Sequence, residues 1–225
     1  MLKAEIPEMP YPLPHEPPDT LTILDFLEFV AASIAKPIQG RYHDYFKHYH
    51  LAFDREEGLQ EFVESINSIF ARNGVAYELT EEGQVKRTLT TEMQQLLSDT
   101  SFHSGDTETD RLLEEARSQF SSPRVEARKD ALEKLWDAFE RVKTLETGKD
   151  KREQVTRLLD RVATGKFRAT LETEAFELTS IGNSYRIRHS ETSQEPLAGS
   201  KEVDYLFHRM FSFLRLVLAT TGRAS

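Results

Sequence analysis

Apolar residues recur along the chain at helical spacing, interrupted by short polar or proline-rich breaks, and that pattern predicts a mainly α-helical protein. Leu21, Leu24, Leu27, Phe29 and Val30 follow Asp19 and Thr20, either of which can cap a helix N-terminus. Pro37 ends the run. A second helix is expected over Tyr42, Tyr45, Phe46 and Tyr49. A third runs from about Arg55 to Arg72, with Leu59, Phe62, Val63, Ile66, Ile69 and Phe70 on one side. Asn73-Gly74 closes it, because glycine tolerates the left-handed conformation found just past a helix end. In "VAYELTEEGQVKRTL" two short β-prone runs flank Glu82-Gly83, which predicts one small β-hairpin around Val75 to Leu89.

From Ser98 to Thr109 the sequence "SDTSFHSGDTET" is polar and rich in turn formers, and it is the candidate domain boundary. The pattern beyond it is entirely helical. Helices are expected at Asp110 to Phe120, Lys151 to Val162, Ala169 to Ile181 and Lys201 to Ala219. Another opens at Ser122-Pro123, serine as cap and proline as first helical residue, and carries the stripe Leu132, Leu135, Trp136, Phe139 and Val142. The last helix is apolar beyond one stripe, at Leu206, Phe207, Met210, Phe211, Phe213, Leu214, Val217 and Leu218. So wide a surface predicts two buried faces, and hence a homodimer through the C-terminal helices. Pro7, Pro10, Pro12, Pro14, Pro17 and Pro18 predict an extended arm, packed on the body or serving as a proline-rich ligand. The division is thus an arm at 1–18, an N-terminal domain at 19–104 and a helical bundle at 105–225.

Composition narrows the function classes. With 38% hydrophobic and 30% charged residues the chain can bury a core. It has no cysteine, which excludes a disulfide framework, a thiol nucleophile and a cysteine-ligated zinc. That absence, and the lack of an apolar run suited to a signal peptide or membrane span, predicts a cytoplasmic protein without membrane contact. The net charge of -9 opposes broad nucleic-acid binding, so any such work falls to a local basic cluster. No glycine-rich phosphate loop and no glycine-flanked nucleophilic serine is present, so kinase, nucleotidase and hydrolase readings have no support. In "RYHDYFKHYH", read as a helix, Asp44 and His48 share one face and His43 and His50 another, a spacing that zinc can use. The paired-histidine motif with a base glutamate is absent, and the tyrosines account for the segment as half-buried packing. No metal and no cofactor is expected.

The densest chemistry lies in "IGNSYRIRHSE", Ile181 to Glu191. Metal-free RNA cleavage needs a histidine as general acid or base and a cation for the charge that develops on phosphorus. His189 suits the first role, Arg186 and Arg188 the second, and Asn183 is a neutral donor. The competing reading is a polar corner in which Arg188 pairs with Glu191 and His189 caps a carbonyl.

Two resemblances bear on this choice. "ALEKLWDAFERVKTL", "LTSIGNSYRIRHSE" and "VDYLFHRMFSFLRLVL" resemble HEPN domains, helical bundles of prokaryotic defence and toxin–antitoxin systems. "FVESINSIFARNGVAYELTEEGQVKR" resembles the N-terminal domain of AbiJ-type abortive-infection proteins, with a helix, an Asn-Gly turn and a hairpin in the same order. The resemblance implies a HEPN-like bundle after a helical domain with one hairpin. It also implies a dimeric, metal-independent endoribonuclease that acts as a toxin in antiviral defence. The HEPN motif places an arginine four to six residues before a histidine. Here Arg186 and Arg188 stand closer to His189, and Asn183 occupies the motif-like distance without a charge. His189 carries over directly, the arginines by analogy. The alternative it leaves open is a non-catalytic defence component, a degenerate bundle used for dimerisation and for sensing a phage-encoded or operon-encoded partner.

Overall fold

In a computed structural model the structure describes residues 2–9, 17–98, 100–185, 187 and 194–225. The chain forms two compact units, 1–89 and 90–225. It is mainly helical, with two small two-stranded sheets among the described residues.

The first unit opens with a single helical turn, α1 (Leu2–Glu5), followed by buried Ile6 and Met9. The arm is therefore not extended from its start, since nothing forbids helix before Pro7. Residues 10–16 of the arm lie outside the described residues. Helix α2 (Thr20–Ser33) begins where Asp19 accepts a hydrogen bond from the Thr22 amide at 3.1 Å. Helix α3 (Arg55–Arg72) is capped by Asp54, which accepts from the Glu57 amide at 3.0 Å, and ends at Asn73-Gly74 with Gly74 at φ 64°.

Between them the expected second helix does not form. Residues Lys36–His43 (β1) and His48–Asp54 (β2) pair as an antiparallel hairpin. Pro37 and Gly40 are poor helix residues, whereas His48 to Phe53 alternate in the period of a strand. Lys47, at φ 54°, completes the turn. The hairpin read from the sequence is present as β3 (Tyr77–Leu79) and β4 (Val85–Arg87). Three-residue strands hold little by themselves, and side chains of the helices supply the rest. Asn67 donates to the Leu79 carbonyl and accepts from its amide, both at 2.8 Å, as a neighbouring strand would. Glu28 accepts from the Val85 amide at 2.7 Å. Gly83 turns the hairpin at φ 80°, and a Cβ there would come within 2.8 Å of the Ala31 methyl. A small core of Leu24, Ala31, Val63, Leu79 and Val85 lies beneath.

The second unit begins with α4 (Thr91–Ser98), a helix with no counterpart in the sequence reading. The polar stretch 98–109 lies inside this unit. Ser101 exchanges backbone hydrogen bonds with Ser225 at 2.9 and 3.0 Å, and the His103 amide donates to the Arg223 carbonyl at 2.7 Å. Phe102 between them is buried, edge-on to Phe211. Four longer helices and a shorter one follow: α5 (Thr107–Phe120), α6 (Val125–Val142), α7 (Lys151–Val162), α8 (Gly165–Ser184) and α9 (Ser200–Thr220). Helix α6 starts later than Ser122-Pro123, because Arg128 draws both of their carbonyls out of the helical ladder, at 3.3 and 3.2 Å. Helix α5 packs on α6, α6 on α9, α9 on α7 and α7 on α8. The breadth of α9's apolar surface is met within one chain, since all eight residues that suggested a second buried face are already buried. That surface therefore gives no reason for a dimer.

Asp106 joins the N-terminus of α5 to α6. It accepts from the Thr109 hydroxyl and amide and from Arg141, and these bonds hold its carboxyl below the usual aspartate range. Asp106→Ala is expected to cost about 1 kcal/mol at neutral pH, as loss of a helix cap does. A carboxyl that titrates lower when folded stabilises fully above the ordinary value of 3.8, and loses that contribution as pH falls through the folded value. The gap in Tm between the two proteins should therefore close in strong acid. A gap of equal size at neutral and strongly acidic pH would contradict this assignment.

Candidate functional site

The segment that carries Asn183, Arg186, Arg188 and His189 leaves the end of α8, so the placement of α8 decides where it emerges. The helix buries a narrow stripe, Leu171, Ala175, Leu178 and Gly182, whose spacing keeps one edge inward. Three contacts lock it. The indole of Trp136 on α6 packs against Gly182, where a Cβ would come 2.2 Å from Nε1. Lys143, buried at the end of α6, donates to the Thr179 hydroxyl at 3.0 Å and to Glu140 at 2.6 Å, with its ammonium 4.4 Å from the centre of the Phe139 ring. Burial raises Glu140, but its bonds to Lys143 and Lys151 outweigh that and hold its carboxyl below the usual range. Arg209 on α9 grips Glu174 with two bonds, at 2.7 and 2.9 Å.

Asn183 occupies the last turn of α8 and is exposed. Its carbonyl accepts from the Gln194 side chain at 3.3 Å, and the Glu195 amide donates to the Ser184 carbonyl at 3.1 Å. Tyr185 and Glu195 form an isolated parallel bridge. Ile187 is buried and lines a cavity of about 230 Å³ with Lys129, Leu132, Pro196 and Leu197. The chain thus leaves α8 and returns to the same point within ten residues. Arg186, Arg188 and His189 lie in that span but outside the described residues. Of the four predicted site residues, the structure places Asn183 alone.

One grouping that sequence reasoning did not assemble, and one that it assembled differently, are also present. Arg128, buried on α6, has its Nε 3.1 Å from Asp204 of α9, and His208, one turn further on, meets Phe120 with its ring 5.1 Å away. The four-residue step from Asp204 to His208 was legible, but Arg128 joins only through the fold. In the first unit, His43, His48 and His50 come together on the β1–β2 hairpin, with ring centres 5.4 to 5.7 Å apart. The helical pairing of Asp44 with His48 does not exist, because the segment is a hairpin. Among the described residues no group of three histidine, aspartate or glutamate side chains is placed to hold a metal ion. No helix among them is long and apolar enough to cross a membrane. A groove of about 660 Å³ along α5 and α6 is lined by Glu108, Asp130, Glu133 and other charged side chains. Its cations are engaged, Arg111 by Glu108 and Glu115, Lys134 by Glu115 and Arg141 by Asp106.

Comparison with known proteins gives no match to any family model, curated protein or solved structure.

The Trp136–Gly182 contact yields a test of how α8 is held. Gly182→Ala is expected to destabilise the protein by about 2 kcal/mol, because the indole is packed on all sides and cannot yield freely. Gly182→Ala should also shift the Trp136 fluorescence, which a change confined to the surface would leave alone. An unchanged Tm would show that α8 is not fixed by this contact.

Proposed function

We propose that the protein is a prokaryotic abortive-infection protein whose second unit is a HEPN-like, metal-independent endoribonuclease. The observation that supports it most is the closed span at the end of α8. Both ends of that span are hydrogen-bonded to one another, through Asn183–Gln194 and Ser184–Glu195, and in the sequence Arg186, Arg188 and His189 fall between them. The first unit adds support through its order of helix, Asn-Gly turn and hairpin. In this reading His189 takes the proton from a ribose 2′-hydroxyl as that oxygen attacks the adjacent phosphorus. Arg186 or Arg188 stabilises the charge on the phosphoryl oxygens, and Asn183 donates a neutral hydrogen bond. The bond to the 5′-oxygen breaks and that oxygen takes up a proton, leaving a cyclic phosphate and a free 5′-hydroxyl. In a dimer of the kind the HEPN resemblance implies, the second copy's histidine would supply that proton.

A second reading keeps the dimer but not the chemistry: a non-catalytic component that senses a phage-encoded or operon-encoded partner.

His189→Ala is expected to lower RNA cleavage at least a hundredfold and to relieve growth arrest, while the far-UV spectrum and Tm stay unchanged. Arg186→Lys and Arg188→Lys should each slow cleavage, since lysine lacks the planar two-pronged contact with phosphate. Cleavage should persist in chelator. Full activity of His189→Ala, or loss of its fold, would overturn the catalytic reading and leave the second one.

A further inference from the structure

The β1–β2 hairpin has no place in the reading above, and its surface is unusual for a folded domain. Every residue from Pro37 to Tyr42 and from His48 to Phe53 is exposed, on both faces of the ribbon. A two-stranded ribbon free on both faces is marginal in water, so its side chains are not there to form a core. Cross-strand partners share a face, and one face carries Tyr42 against Tyr49, ring centres 4.9 Å apart, with Phe53 two pairs nearer the base. Phe53 is 66% exposed. On the tip Tyr45 is 83% exposed and Phe46 64%. Behind them Phe46 lies nearly parallel to His48, at 13° and 5.9 Å, and His43 nearly parallel to His48, at 22° and 5.7 Å. This is a set of flat rings with open faces.

The charge around the rings is positive in a chain that is otherwise acidic. Arg41 and Lys47 are exposed and form no ion pair among the described residues, and Asp44 is the one acidic residue of the outer half. Lys36, by contrast, is held at the base by Glu57 and Glu61, each at 2.6 Å. Open aromatic faces beside free cations are what single-stranded nucleic acid requires, bases stacking on the rings and phosphates meeting the cations. A protein partner is favoured less. Aliphatic anchors are few, and Pro37 and the register break between Gln39 and Tyr42 spoil the strand edge for pairing with another chain. We propose that the hairpin is an arm that binds single-stranded RNA through Tyr42, Tyr45, Phe46, Tyr49 and Phe53, with Arg41 and Lys47 on the phosphates. The assignment of RNA rather than DNA rests on the ribonuclease reading. The presence of a nucleic-acid arm does not.

The test is fluorescence anisotropy of a labelled single-stranded RNA of about 20 nucleotides, long enough to cover several stacking sites. The full-length His189→Ala protein is used so that the probe survives. Tyr45→Ser with Phe46→Ser should weaken binding about tenfold or more, as loss of base stacking does. Arg41→Ala with Lys47→Ala should weaken it and lower the slope of log affinity against log salt by about 1.4, about 0.7 for each phosphate contact on a single strand. Equal or tighter binding of single-stranded DNA would remove the RNA assignment. Unchanged RNA binding by both variants, or no RNA binding by the parent, overturns the arm. Tip variants that instead turn a dimer into a monomer by light scattering, with RNA affinity unchanged, make the hairpin a protein interface. Since binding is read without cleavage, the arm stands or falls separately from His189: a wild-type chain that binds through the arm but never cuts would sink the ribonuclease alone.

Discussion

Phe120 of α5 and Phe207 of α9 stack face to face at 3.8 Å and 7°, and Phe207 stacks in turn on Phe211 at 5.7 Å and 12°. This buried ring column is what the second unit is assembled on. Nine side chains of α9 are buried, from Val203 to Leu218, and only the edge carrying Tyr205, Ser212, Arg215 and Leu216 faces solvent. Other helices must cover the rest. Helix α6 meets it with Leu132, Leu135 and Phe139, the last edge-on to Phe213 at 5.9 Å. The C-terminal residues then fold back on 101–103, which seals the end of the column near Phe211. Burial of such aromatic and aliphatic area is the main stabilising term available to a chain without disulfides.

The first unit is organised by a different economy of contacts. Its core is small, and the strands β3 and β4 are too short to specify a register by pairing alone. Asn67 and Glu28 supply the missing ladder from the helices, each satisfying backbone groups that burial would otherwise penalise. The β1–β2 hairpin is tied at its base, where Lys36 bridges to two glutamates of α3 and Arg55 donates to the Ala32 carbonyl at 2.6 Å. Beyond that base the ribbon's rings are left open. Stability and exposure are thus separated along one element: the base holds, and the outer half is free to touch something else.

How much of this was legible differs from element to element. Helix α7 matches its expected bounds, and α3 matches as well, because a charged exposed face and an apolar stripe leave little ambiguity over many residues. Tyr42, Tyr45, Phe46 and Tyr49 fit a helical stripe and also a hairpin with a four-residue turn, so periodicity alone could not choose. Pro37 and Gly40, both poor helix residues, tip the balance to the hairpin. The polar stretch 98–109 reads as a linker, yet its backbone bonds to residues more than a hundred positions away, which no local pattern reveals. At the site, the sequence grouped Asn183 with two arginines and a histidine by proximity along the chain. It could not show that Gln194 and Glu195 return to close the span, nor that Trp136 lies on Gly182. Arg128 looked like one more charge on a helix, and only packing makes it a buried partner of Asp204.

Net acidity opposes general nucleic-acid binding, and the distribution of charge bears on the proposal that this chain acts on RNA. Across the bundle surface most cations are spent on carboxylates: Arg111, Arg117, Arg157, Arg161, Arg168 and Arg209 all sit in ion pairs. Arginines so engaged present little net field to a phosphate backbone, which suppresses general binding. On the hairpin tip Arg41 and Lys47 stand without carboxylate partners among the described residues, beside open rings. For the ribonuclease proposed above, weak general affinity would confine contact to places where rings and cations coincide. Under that proposal the acidic surface would suppress general contact and the aromatic arm would supply the local one, so the two signals do not conflict.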